Sequence, residues 1–287
     1  MIPLILSIAS SSLIFVLFKL FEKFKIDTFQ AIVINYFTAF CLGIGLYHSE
    51  WNNSALQDVT WMYYAVITAI LFISLFFVMA LSSQKNGVAS TSIAVKMSMA
   101  ISLLLMIIGY AENISLLKVI GVVLAIVGVY MVSSTTKGEK SANSKWMLIL
   151  LFFGSGSLDF ILNVVQKQIL NDLSSSLYSA ISLGLAGVIG VFILSYKLVR
   201  GTSRIQFKNI VAGILLGIPN FFSIYLLLLS YRTTGWNDST VLAITNVSVV
   251  LCSALIGFII FKEQTNNKKL IGLIAAIVAI SALYFAN

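Results

Sequence analysis

Ten apolar stretches constrain the fold more than any other feature of this chain; they lie at about residues 2–21, 28–47, 61–83, 89–110, 116–133, 146–168, 176–198, 208–231, 239–261 and 269–286. Each is close to the roughly twenty residues that an α-helix needs to cross a hydrocarbon layer. Backbone amides within lipid find no water, so a run of this length must satisfy them internally, as a helix does. Composition agrees, with 59% of residues hydrophobic and 10% charged, and a mean hydropathy of +1.01. A water-soluble domain of that make-up would expose large apolar patches. The expectation is an all-α integral membrane protein with ten transmembrane helices, multi-pass in a cell inner membrane, with the lipid bilayer as its principal partner.

The formal charge of +8 does not imply nucleic acid as a partner, because Lys and Arg lie in the short gaps between apolar runs. There they read as orientation signals. Outside the mid-span Lys96, about fourteen fall after spans one, three, five, seven and nine, against about three after the even spans. The richer side is expected to be cytoplasmic, which places both termini outside. Residues Met1 to Leu20 lack a basic leading region and a small-residue cleavage site, so they read as a retained first helix. Cys41 and Cys252 both fall in apolar runs and form neither a disulfide framework nor a zinc-ligand spacing.

One stretch resembles a linker, Ser133 to Lys145, and it divides the spans five and five. The expected organisation is a first unit at 1–135, a linker at 136–145 and a second unit at 146–287. Two marks recur across it. Leu81-Ser82 followed by Gly87 is matched by Leu229-Ser230 followed by Gly235, and Glu112 with Gly121 is matched at identical spacing by Glu263 with Gly272. An odd number of spans per unit makes the second copy enter the membrane in the opposite sense. The chain therefore reads as two inverted five-helix repeats, a plan used by many secondary transporters.

The twice-repeated pattern of a small-residue-rich fourth span ending in Glu112 or Glu263, then Leu117-Lys118-Val119-Ile120-Gly121 or Lys269-Leu270-Ile271-Gly272, resembles the EamA type of the drug/metabolite transporter superfamily. The resemblance covers nearly the whole chain. It implies a basket of helices one to four and six to nine around a central cavity, with helices five and ten peripheral. It also implies export of small metabolites such as amino acids or drugs by alternating access. Members of the family commonly carry a Pro in the fourth span of each repeat; here Met99 and Val250 occupy that region. Members are generally drawn with both termini in the cytoplasm, opposite to the charge count.

The candidate substrate-binding residues begin in the sixth span, where Gly156, Asp159, Asn163 and Gln166 recur along one helical face. Asp159 lies thirteen residues from Trp146, roughly 20 Å along a helix, too deep for a short carboxylate to reach the headgroups. Its readings are a substrate-amine or proton site, giving proton coupling, or a carboxylate that locks two helices. Lys96, roughly 10 Å into the fourth span, either contacts substrate or snorkels to the interface. Thr245 and Asn246 in the ninth span, Asn35 and Tyr36 in the second, and Asn220 beside Pro219 in the eighth extend the list. Helix-to-helix hydrogen bonding is the other reading for each. Pro219 is expected to kink its helix and free a backbone carbonyl. Glu112 and Glu263 are expected to cap the helix that follows each of them. Gly121, Ala125, Gly128, Gly272, Ala276 and Ala279 suit close packing, within the fold or in a homodimer.

The rival classes are an intramembrane enzyme and a flippase of lipid-linked substrates. Gly154-Ser155-Gly156-Ser157 resembles a serine-nucleophile string, but the sole histidine, His48, lies in a loop. No paired-histidine metal motif or phosphate-binding glycine loop is present in the sequence. The expectation is a transporter, not an enzyme, with a small-molecule substrate and with no cofactor and no metal.

Overall fold

The apolar runs become helices wherever the computed structural model describes the chain, which is residues 1–47, 60–110, 116–133, 142–165, 175–236, 238–263 and 266–285. Among these residues there are eleven helices: α1 Ile2–Lys23, α2 Thr28–Tyr47, α3 Thr60–Lys85, α4 Val88–Met97, α5 Met99–Tyr110, α6 Leu116–Ser133, α7 Ala142–Val164, α8 Ser175–Val199, α9 Phe207–Thr233, α10 Asp238–Ile259 and α11 Asn267–Phe285. Helices α4 and α5 are halves of one span interrupted at Ser98, so the ten expected spans are all present. The chain is an all-α, multi-pass membrane protein.

Inversion of the second repeat follows from the register of its glycines. On α8, Cβ atoms added at Gly184, Gly187 and Gly190 would meet Phe40, Phe37 and Val33 of α2 in turn, so these two equivalent spans run antiparallel. On α9, Gly213 abuts Ile34 and the Ala31 carbonyl, and Gly217 abuts Thr38 and the Asn35 carbonyl, so α9 runs parallel to α2. Glycine at these four-residue steps lets backbones approach where lipid offers no hydrophobic drive for association. Exchanging each span for the one five later maps the helix pairs onto one another. Thus α1 on α9 corresponds to α7 on α3, α2 on α9 to α8 on α3, and α1 on α10 to α7 on α4 and α5. The pairs α2–α8, α4–α10 and α6–α11 map onto themselves.

Helices α6 and α11 pack on each other, with lesser contact to α4 and α10. A Cβ at Gly128 would stand 3.3 Å from the Gly272 carbonyl, and Ala125, Ala276 and Ala279 are fully buried. Much of the small-residue face is therefore used within the chain.

The Lys-rich face is tied shut. Lys19 Nζ on α1 donates to the Gln84 carbonyl of α3 at 2.5 Å, and Gln84 Nε2 donates to Thr28 Oγ1 at 3.0 Å. Helix α1 packs on both α3 and α4, whereas among the described residues α7 makes no comparable packing with α9 or α10, their repeat equivalents. The expected role of Glu263 needs correction. Its Oε1 accepts from the Val88 amide at 2.6 Å and its Oε2 from the Ala89 amide at 3.4 Å. It therefore caps α4 of the other repeat, while Asn266 Oδ1 caps the following helix α11 through the Lys269 amide at 2.7 Å. Glu112, its repeat equivalent, lies outside the described residues, as does His48.

Candidate functional site

The interruption between α4 and α5 organises the polar residues of the membrane interior. No proline causes it: Ser98 keeps right-handed helical dihedrals at φ −57°, ψ −20°, so the span bends without unwinding; its Oγ donates to the Val95 carbonyl at 2.6 Å, and its own carbonyl accepts from the amides of Ile101 and Ser102 at 2.9 and 3.1 Å. A serine hydroxyl competing for backbone acceptors is a recognised way to bend a membrane helix. Opposite it stands Gly156 of α7, where a Cβ would lie 2.6 Å from the Ser98 carbonyl. Helix α7 can thus approach the break only through a glycine. The equivalent place in α10 is different, since that helix runs unbroken through Val250.

On α7, Leu148, Leu151, Phe152 and Gly156 are buried while Trp146, Leu150 and Phe153 face outward. Asp159, seven residues beyond Phe152, shares the inward side, yet it keeps an exposed side chain. It is therefore not part of the close-packed core. Lys96, half-buried in the last turn of α4, is within electrostatic reach of Asp159. The two make no nitrogen–oxygen contact within 4.0 Å, the described ion pair being Lys19 with Glu22. On α10, Asn246 is buried and its Nδ2 donates to Met99 Sδ, the first residue of α5, at 3.5 Å. Lys96, Asp159 and Asn246 are therefore brought to the same break from three helices.

The other candidates stand elsewhere. Thr245 is buried and turned back on its own helix, its Oγ1 donating to the Val241 carbonyl at 2.7 Å. Asn163 is half-buried one turn beyond Asp159 and has a bonding partner; Gln166 lies outside the described residues. Asn35 and Tyr36 are buried in α2, with Asn35 Oδ1 and the Tyr36 hydroxyl lacking hydrogen-bond partners in the described protein. Asn220 Nδ2 is likewise unpartnered, on α9 beside Pro219, which sits inside a continuous helix. Among the described residues no hydrogen bond or ion pair joins these three to Lys96 and Asp159. Ser98 and Met99 are site residues that sequence reasoning missed as such. The available signal was the density of small hydroxyl residues from Ser90 to Ser98.

The Gly154-Ser155-Gly156-Ser157 string is a packing surface. Gly154 faces Leu75 and Gly156 faces Ser98, while Ser157 Oγ donates to the Phe153 carbonyl at 2.9 Å within its own helix.

The sequence pattern of the EamA-like transporter family matches residues 1–134. An uncharacterized protein of Haemophilus influenzae is 28% identical over 298 residues, spanning 99% of this chain and 98% of its own length. A solved crystal structure superposes with a TM-score of 0.59 at 11% identity, covering 96% of each chain, which speaks to the fold alone. The resemblance read from the sequence holds over residues 1–134, where this multi-pass membrane protein is similar to the EamA-like transporter family.

Proposed function

We propose that the chain is a secondary transporter, not an enzyme, which exports small metabolites such as amino acids across a cell inner membrane by alternating access. Residues 1–135 and 146–287 act as the two five-helix units, joined by 136–145. The observation that carries this reading is the placement of Lys96 and Asp159 at the α4–α5 break, within electrostatic reach but not in contact. Two opposite charges held apart inside a membrane are costly unless they serve a ligand or a proton. A zwitterionic substrate matches them, its carboxylate towards Lys96 and its ammonium towards Asp159. Without substrate, Asp159 can take up a proton, which gives a route to proton coupling. Asn246 adds a polar group at the same level. The closed Lys-rich face, and the lack of comparable α7 packing on α9 and α10 among the described residues, support an opening towards the Lys-poor side.

The test is transport in proteoliposomes. Asp159→Asn removes the charge and keeps the shape, and substrate-dependent flux is expected to fall to background while the protein still purifies as a folded species. Undiminished flux with Asp159→Asn would refute the assignment.

A further inference from the structure

The face on which α1 turns into α2 and α8 turns into α9 carries a cavity of about 560 Å³ that the transport reading does not use. Lys25, Arg204 and Lys208 line it, together with Asp27, Ser203 and Asn209. We infer that this cavity binds the phosphate-bearing headgroup of an anionic phospholipid.

The charge balance is the first support. Asp27 is the one carboxylate in the lining, and it is committed to the protein. Its Oδ1 accepts from the amides of Phe29 and Gln30 at 3.1 and 3.2 Å, capping α2, and its Oδ2 accepts from Gln30 Nε2 at 3.2 Å and Ser203 Oγ at 2.8 Å. Lys25, Arg204 and Lys208 are exposed, and none forms an ion pair among the described residues. Three cations therefore share one cavity with a single carboxylate whose acceptor positions are taken, leaving a formal charge of +2 in the lining.

The second support is rigidity. Asn209 is fully buried and clamps both loops, its Oδ1 accepting from the Asp27 amide at 3.0 Å and its Nδ2 donating to Gln30 Oε1 at 2.8 Å. Gln30 Nε2 also donates to the Arg204 carbonyl at 2.8 Å, and Lys208 Nζ to the Lys25 carbonyl at 2.8 Å. Lys25 itself is held in the left-handed region at φ 51°. A pre-formed cationic site loses little freedom when it binds.

The N-terminus of α9 adds donors. Gln206 occupies its cap position and makes no side-chain cap hydrogen bond, in contrast to the capped start of α2. The Asn209 amide is taken by the Gln206 carbonyl at 3.0 Å, so the amides of Phe207 and Lys208 are the ones the helix start offers an anion.

What selects a lipid over a soluble phosphate is the surroundings. Phe24, Val199, Ile205 and Phe207 stand at the ends of the helices around the cavity, and all are exposed, Val199 to 89% and Phe207 to 79%. Such a ring belongs at the acyl boundary of a bilayer, with the cations at headgroup level. It lies on the Lys-rich face, where the charge count places the cytoplasmic leaflet.

The inference is independent of transport and is tested by binding. Full-length protein in neutral detergent is titrated with phosphatidylglycerol or phosphatidylcholine, and lipid retention is read by native mass spectrometry. Wild type is expected to retain phosphatidylglycerol over phosphatidylcholine. Near the surface each cation contributes about a fivefold factor, so Lys25→Gln/Arg204→Gln/Lys208→Gln should weaken retention roughly a hundredfold. Lys85→Gln, a cation on the same face outside the cavity, should leave it unchanged. Should the triple variant fail to fold, Arg204→Gln alone, whose described hydrogen bond is made by its backbone, should still lose about fivefold. Equal retention of the two lipids, or unchanged binding in these variants, overturns the inference. Displacement of the lipid by equimolar glycerol phosphate would make this a soluble-anion site and would overturn it as well.

Discussion

Glu263→Gln is the substitution whose consequence the structure specifies most closely. The carboxylate lies in a slot cleared by two glycines: a Cβ at Gly87 would fall within it, and a Cβ at Gly257 would stand 2.8 Å from its Oε2. From there it accepts from the Val88 and Ala89 amides at the start of α4. Glutamine preserves volume and one acceptor but removes the charge. The lost parts are the charge assistance of a hydrogen bond, which is worth about 1.5–3 kcal/mol in whole, and the helix-terminus attraction, up to about 2 kcal/mol when partly buried. These overlap, so the expected cost is about 1–3 kcal/mol. For large domains that corresponds to a fall in Tm of about 2–12 °C. Thermal unfolding of the detergent-purified protein measures it, by intrinsic fluorescence of the four tryptophans. Glu22→Gln is the matched control, because Glu22 pairs with Lys19 at 3.0 Å but is 56% exposed. Exposed pairs of this kind contribute at most about 1 kcal/mol. If Glu263→Gln were no more damaging than Glu22→Gln, the cap between repeats would not be a stabilising element and the reasoning would fail.

Lys96→Met should raise the substrate concentration for half-maximal transport by at least about tenfold, since a charge-assisted hydrogen bond is lost; normal affinity would mean that Lys96 only snorkels. Gly217→Leu should separate α2 from α9, because even a Cβ would approach the Asn35 carbonyl to 2.8 Å. Overpacking of that kind costs about 1–3 kcal/mol, and an unchanged Tm would show the pair to be slack. In a background lacking Cys41 and Cys252, Thr202→Cys on the loop before α9 should resist a membrane-impermeant thiol reagent in intact cells and react after lysis. Labelling of intact cells would place the Lys-rich face outside.

The ten spans were legible in the chain itself because hydrocarbon imposes one rule on every backbone amide within it, and that rule reads locally. The inverted repeat was legible for a related reason: five spans per unit reverse direction by arithmetic, and the glycines of α8 and α9 later displayed that reversal in their contacts with α2. The shared helical face of Gly156 and Asp159 on α7 was also readable from spacing. Other features depended on where distant helices came to rest. Glu263 caps a helix that begins 175 residues before it, and no local pattern distinguishes that partner from the adjacent α11. The break at Ser98 has no proline to announce it and depends on the close approach of Gly156. Helical periodicity gives a residue's face but not its neighbour. Only the packed bundle therefore decided that Lys96 comes within electrostatic reach of Asp159 and that Asn246 bonds Met99 beside them.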